Sequence, residues 1–350
     1  MIIENKRSPE VNQMKLVFWI YSISSFPTFQ KIMNERKQKV KWIAILWYIY
    51  IHVLGVYAIW LMFTSAKWMT IFYTIFITAI GYFGMTAGAH RLWAHRTYES
   101  ESLVKLFLML AHTSTGVGSI YNWVLYHRIH HKYYGTDKDP YNHKKGFLYS
   151  HYLSNILSPN MNLEEMKRRI DLSDIENDIY VYFQKIFYWP LFLIFGLILP
   201  LNAPLEYWNE SLIETILITG FLRFAIIINI SWLMNSAFLV WNIKEGEKIP
   251  SKTISIFFLK KSFWPKYHYK IPWDWKCGEF GIYDDDWTTF FIKMAHELNL
   301  VNSLLTVDTE DIRDMLHEMT IKEITLEDSL EKLKEKSIFN MEKTKLIKKH

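Results

Sequence analysis

His90-Arg91-Leu92-Trp93-Ala94-His95 and His127-Arg128-Ile129-His130-His131 are the two stretches around which this chain is organised. Between them they hold five of its thirteen histidines. Imidazoles that only fill space or face water have no reason to recur in blocks, whereas a first-row metal ion needs several neutral imidazoles brought to one point. His127, His130 and His131 stand at i, i+3 and i+4, on one face of a helix. His90 and His95 are five apart. A regular helix points such a pair in different directions, so both can face one ion only where the helix ends or is distorted.

Working outward, both boxes lie between two pairs of membrane-length apolar runs, the first box directly following one of them. Residues 42–63 and 68–89 carry no Asp, Glu, Lys or Arg, and each is long enough to cross a hydrocarbon core of ~30 Å. The link from Thr64 to Lys67 is short, so the two runs form a hairpin. Basic flanks at its outer ends (Lys31, Arg36, Lys37, Lys39 and Lys41 before, Arg91 and Arg96 after) place those ends in the cytosol. A second pair follows, 186–205 with Pro190 and Pro200, then 212–240 with Glu214 and Arg223 inside it. Glu214 is expected near the membrane edge and Arg223 either turned into the bundle or snorkelling, neither needing a catalytic role. The connection from Asn202 to Asn209, with the sequon Asn209-Glu210-Ser211, is expected to be lumenal. The weakly apolar piece from Leu103 to Trp123 reads as a protein-buried or interfacial helix rather than a span. An apolar patch from Leu16 to Phe29 reads as an interfacial helix, with no cleavage site after it.

Bulk properties fit this reading. The 350 residues are 50% hydrophobic and 17% aromatic, high for a soluble chain. Cys277 is the only cysteine, which excludes an intrachain disulfide and a cysteine-based zinc site. A net charge of +5, with no basic block interleaved with aromatics, argues against nucleic acid. The fold expected is an all-α integral membrane protein with four transmembrane helices in two hairpins and a cytosolic helical cap carrying a histidine-rich metal site. It divides into a cytosolic N-terminal segment (1–41), a membrane domain (42–311) and a charged helical C-terminal tail (312–350), with both termini cytosolic.

Around the boxes the wording is specific: Thr86-Ala87-Gly88-Ala89-His90 through Thr97-Tyr98, Tyr121-x-Trp123, Thr136-Asp137-x-Asp139-Pro140, Gly146-Phe147 with Ser150-His151, Trp232-Leu233-x-Asn235-Ser236-Ala237, and Pro272-Trp273-Asp274. Across roughly residues 30–310 the chain resembles the membrane fatty acyl-CoA desaturases of the stearoyl-CoA type. The resemblance implies an endoplasmic reticulum enzyme whose cytosolic cap holds two irons in a nest of nine histidines. Such enzymes take electrons from cytochrome b5 and use O2 to introduce a cis double bond into a fatty acyl-CoA. No side chain has the oxidising power to break an unactivated C–H bond, whereas imidazole-bound iron does.

Carried over position by position, His90, His95, His127, His130 and His131 match the first five ligands, and His268 matches one more. Asn235 matches an asparagine that supports the metal through water, and Trp123 a substrate-binding tryptophan near the mouth of the acyl tunnel. The family's histidine four residues after that asparagine is Leu239 here. Its third box reads Pro265-Lys266-Tyr267-His268-Tyr269, and the Arg-Asp pair that helps hold the CoA head group is Leu125-Tyr126. Three of the nine imidazoles are thus replaced. Leu239 and Pro265 have no donor, and Tyr269 as a phenolate would change the charge of the site. Disturbing even an outer partner of a metal ligand weakens binding or activity 10–100-fold, so a weakened or single-metal site is expected. Two readings follow: an acyl-CoA desaturase with altered iron ligation, or a catalytically impaired relative that binds acyl-CoA, lipid or an active desaturase partner.

Overall fold

The computed structural model describes residues 39–159, 161–241, 264–280, 283–322 and 324–348, with 237–241, 264–266 and 344–348 described as backbone only. The apolar patch from Leu16 to Phe29 and the side chains of Leu239 and Pro265 lie outside the described residues.

Four helices among the described residues are long and apolar enough to cross a membrane: Trp42–Thr64, Trp68–Ala94, Tyr188–Trp208 and Leu212–Ser236. At a rise of 1.5 Å per residue the first is about 34 Å long. Its outward face is apolar, with Ile43 86% and Phe63 81% exposed, a surface that only lipid or another protein would cover. The first helix packs along Thr215–Leu222 of the fourth, where Gly55 leaves so little room that an added Cβ would lie 3.1 Å from the Cβ of Ala225.

Both hairpin links sit at the same end of the bundle and are tied together there. Lys67 Nζ donates to the carbonyls of Trp208 (2.7 Å) and Asn209 (2.6 Å), and its backbone N–H donates to Glu210 Oε2 at 2.9 Å. Thr70 also donates to Glu210, and Ser65 donates to Glu214 at 2.7 Å. Glu214 therefore stands at the mouth of the fourth helix, as its position in the sequence suggests. Arg223 turns into the bundle rather than snorkelling. It is 3% exposed, and its guanidinium donates to the carbonyls of Thr219, Ser114 and Gly196. The π-helical stretches Phe192–Ile198 and Thr215–Leu222 disturb the regular ladder here and leave carbonyls to take up such donors.

The second helix runs five residues beyond the apolar stretch ending at Ala89, because Gly84–Ala94 is wound as a π-helix. Gly84 is obligatory. A Cβ there would lie 2.2 Å from the backbone nitrogen of His112, so the helix Ser102–Thr113 packs directly against its backbone. That helix is too short to span a bilayer. It ends where Gly116 and Gly118 take positive φ, and Ile120–Lys132 follows, capped by Ser119. The Leu103–Trp123 piece is thus one whole short helix, a turn and the start of another, all outside the four spans.

At the end of the bundle opposite the hairpin links, the short helix Trp264–Lys270, the helix Trp287–Glu297 and the C-terminal pair Thr309–Lys322 and Leu326–Lys348 build a cap. The charged tail is not simply solvated. Ile312, Met315 and Leu333 are buried against Tyr267, Ile271 and Trp273, so the tail helices brace the segment that carries His268. The two-residue strands Glu99–Ser100 and Val301–Asn302 pair antiparallel and pin the cap to the exit of the second helix.

Candidate metal centre

Four imidazoles from three separate segments, the end of the second span, Ile120–Lys132 and Trp264–Lys270, meet at the capped end of the bundle. His90, His95, His127 and His268 each present a ring nitrogen, and these four atoms lie within 4.8 Å of one another. His95 Nε2 is 3.1 Å from His90 Nε2 and 2.9 Å from His127 Nε2. The π-helix explains how residues five apart can share a target. The N–H of His95 donates to the carbonyl of His90 at 3.0 Å, an i→i+5 closure that brings both rings to one side.

Arg128, inside the second box, locks the two boxes together. It donates to the carbonyls of Trp93 (2.7 Å) and Ala94 (3.1 Å) and forks onto Asp174 at 2.6 and 2.8 Å. In this way the last carbonyls of one ligand-bearing helix are satisfied by the other.

The outer ring nitrogens have partners that fix their tautomers. A carboxylate or amide oxygen only accepts, so His90 Nδ1 donates to Glu279 Oε1 (3.0 Å) and His127 Nδ1 donates to Asn235 Oδ1 (3.2 Å). Each Nε2 lone pair is thereby turned toward the shared centre. Asn235 comes from the fourth span and faces His127 directly. Trp123 stacks on His127 at 4.9 Å and 17°, and its indole N–H donates to Ser231 Oγ at 3.3 Å. Cys277 Sγ lies 3.8 Å from His268 Nδ1.

Glu279 is the group that sequence reading missed. It is fully buried and forks onto Arg91 (2.7 and 3.0 Å), whose remaining donors reach Asp286, Trp275 O and Thr289 Oγ1. All five guanidinium N–H groups are satisfied. Burial alone would raise the Glu279 carboxyl, but Arg91 beside it overrides that and holds it well below the usual carboxylate range. A buried arginine next to a box histidine required a buried anion, yet 188 residues separate the partners, so no spacing rule could identify it.

Of the second box, His127 joins the cluster and His131 sits beside it, its ring 4.5 Å from His95 and 4.9 Å from His268. His131 Nε2 is buried with no hydrogen-bond partner. His130 points elsewhere: its Nδ1 meets Asp139 Oδ1 at 2.7 Å and its Nε2 meets the Tyr269 hydroxyl at 2.6 Å. Leu125 is fully buried in the apolar core, and Tyr126 packs against that core, so the pair that stands in for Arg-Asp offers no cation.

This donor set fits a metal ion. Burial, and after it the neighbouring imidazoles, push His95, His127, His131 and His268 well below the ordinary histidine value, so the rings are neutral ligands at physiological pH. At 2.9–3.1 Å these nitrogens repel where each presents a lone pair, and a proton on His95 Nε2 or a shared cation removes that repulsion. An ion holding imidazole nitrogens at roughly 2.1 Å in a tetrahedral array spaces them roughly 3.4 Å apart.

Residues 66–247 match the family model for fatty acid desaturase. The chain is 34% identical over 300 residues to an acyl-CoA Delta-12 desaturase of Tribolium castaneum, covering 83% of this chain and 84% of that one. This chain belongs to the fatty acid desaturase family. It is also similar to an acyl-CoA Delta-9 desaturase of Acheta domesticus (32% over 290 residues, 82% and 81% covered) and to the stearoyl-CoA desaturase of Homo sapiens (32% over 279 residues, 78% and 77% covered). Desaturases are membrane enzymes that use iron, and the four apolar helices and the histidine cluster described above are what that chemistry requires.

Proposed function

We propose that the chain is an iron-dependent oxidoreductase of the endoplasmic reticulum membrane that introduces a cis double bond into a fatty acyl-CoA, with O2 as oxidant and electrons from cytochrome b5. The observation that carries the reading is the convergence of His90, His95, His127 and His268 within 4.8 Å, at one end of a four-span bundle whose relatives are named for acyl-CoA desaturation. Bound iron would supply the oxidising power for an unactivated C–H bond.

The chain's own residues do the rest. The four rings hold the ion, with His131 poised beside them. Glu279 and Asn235 aim two of those rings. Trp123, stacked on His127 and tied to Ser231, forms a wall against which an alkyl chain can lie beside the metal. Arg91 and Glu279 neutralise each other without exposing charge to that apolar space. In this reading the ends of the spans that carry the cluster face the cytosol, as do both termini.

A second reading is favoured by the Tyr269 hydroxyl on His130: a family member of impaired turnover that binds acyl-CoA or lipid, or associates with an active desaturase. One experiment separates the two. The full-length chain is expressed in desaturase-deficient cells supplied with saturated fatty acid, and unsaturated products are measured against an intact family member. The desaturase reading expects a new cis product, at a rate at least tenfold lower because ligands are lost. Normal membrane insertion and iron content with no product would favour the binding reading.

A further inference from the structure

The surroundings of His130 bear on how many ions the centre can hold. This inference rests on the metal-binding reading above. In His130 both ring nitrogens are engaged, and by partners of opposite kind. The Asp139 carboxylate can only accept, so Nδ1 carries the proton, and Nε2 presents the lone pair that would bind a metal. That lone pair accepts the Tyr269 hydroxyl hydrogen at 2.6 Å.

Neither partner is loosely placed. Asp139 is buried and its carboxylate also accepts from the backbone N–H groups of Gly135 (3.1 Å) and Tyr141 (2.9 Å). The Tyr269 ring stacks on Tyr134 at 3.7 Å, and Tyr134 stacks in turn on His143 at 4.5 Å. A phenol held in such a stack cannot swing away without unpacking three aromatic rings.

We infer that this chain binds a single ion, at His90, His95, His127 and His268 with His131 alongside, and that Tyr269 closes a second position by occupying the Nε2 lone pair of His130. A second ion in the adjoining space would have to break the Tyr269–His130 hydrogen bond, and would gain from these residues only His130 and a share of His131. Two neutral imidazoles are fewer ligands than the three or four protein donors that first-row metal sites ordinarily use.

The test is metal content and spectroscopy rather than turnover. The full-length chain is purified in lipid nanodiscs from iron-supplied cells, with elemental analysis per chain and Mössbauer spectra of iron-57 samples. Tyr269→His, which exchanges the hydroxyl donor for a third imidazole, and His130→Gln are carried alongside. The inference expects about one iron per chain in the unaltered protein, with the spectrum of an isolated, uncoupled ion. It expects His130→Gln to retain that ion, because His130 is not among its ligands, and Tyr269→His to raise the content toward two. Should Tyr269→His fail to fold, the first two results still decide. Two coupled irons in the unaltered chain, or loss of the ion in His130→Gln, would overturn the inference and leave the metal-binding reading intact. No bound ion at all would overturn both.

Discussion

His95 Nε2 lies 2.9 Å from His127 Nε2 although the residues are 32 apart in sequence. At that distance the pair either shares a proton or presents both lone pairs to one ion. What holds them there is the Arg128 clamp on Trp93 and Ala94, the π-helix under His90 and His95, and the Asn235 amide behind His127. The scaffold therefore helps to fix the positions of the ligands, and outer partners of this kind tune metal binding.

The Asn235 amide can be tested alone. Asn235→Leu removes the acceptor that orients His127 while keeping an apolar side chain of similar size. Metal affinity, measured by competition with a chelator of known strength, should fall 10–100-fold with little change in thermal stability. Unchanged affinity would mean that Trp123 stacking alone suffices to place the ring.

Glu279 carries both tautomer control and charge balance. Glu279→Gln leaves Arg91 buried with Asp286 as its one anionic partner among the described residues and takes the full carboxylate from His90. Breaking a buried pair in this way costs about 3–5 kcal/mol. The melting temperature of the purified protein, followed by light scattering, should drop by more than about 5 °C, and metal content should fall with it.

Acidification should loosen the cap. His95, His127, His131 and His268 have folded-state pKa values well below the ordinary 6.5, chiefly through burial and then through one another. Below pH 6.5 the unfolded chain takes up protons that the folded chain refuses. The stability these groups contribute is therefore complete above pH 6.5 and declines as pH falls beneath it, by up to about 1.4 kcal/mol per pH unit for each group until its folded pKa is reached. Melting of the metal-free protein between pH 8 and 5 should show a plateau and then a fall. A flat profile would mean that the rings are already protonated or open to water.

Gly84 marks the tightest helix contact. Gly84→Ala would place a Cβ 2.2 Å from the His112 nitrogen and 2.5 Å from the Ala111 carbonyl carbon, atoms of a backbone that cannot rotate aside. The π-helix and both first-box histidines depend on that contact, so the variant should lose most of its monodisperse yield in size-exclusion chromatography. A well-folded variant with full metal content would show that the two helices can part without moving the centre.

Most of the architecture could be read from the sequence because a bilayer imposes lengths. Runs of 22 uncharged residues and a short link admit few alternatives, and the described helices follow them to within a few residues except where the π-helix carries the second span on to Ala94. The boxes announced a metal centre for a similar reason, since only a shared ion calls for histidines in blocks. The allotment of the rings was harder to see. His130 and His131 share a helical face with His127, yet a helix turns 100° between neighbours, enough to send one ring to the cluster and the other to Asp139 and Tyr269. The Arg91–Glu279 pair, and the bracing of the His268 segment by the tail helices, join residues far apart in the chain and follow no local period.

The most direct test is X-ray absorption at the iron edge of the purified full-length protein, alongside His268→Ala. Imidazoles from three segments around one ion predict a first shell of four or five histidine nitrogens, losing one in the variant. A shell dominated by water or carboxylate oxygen, or one that His268→Ala leaves untouched, would contradict it.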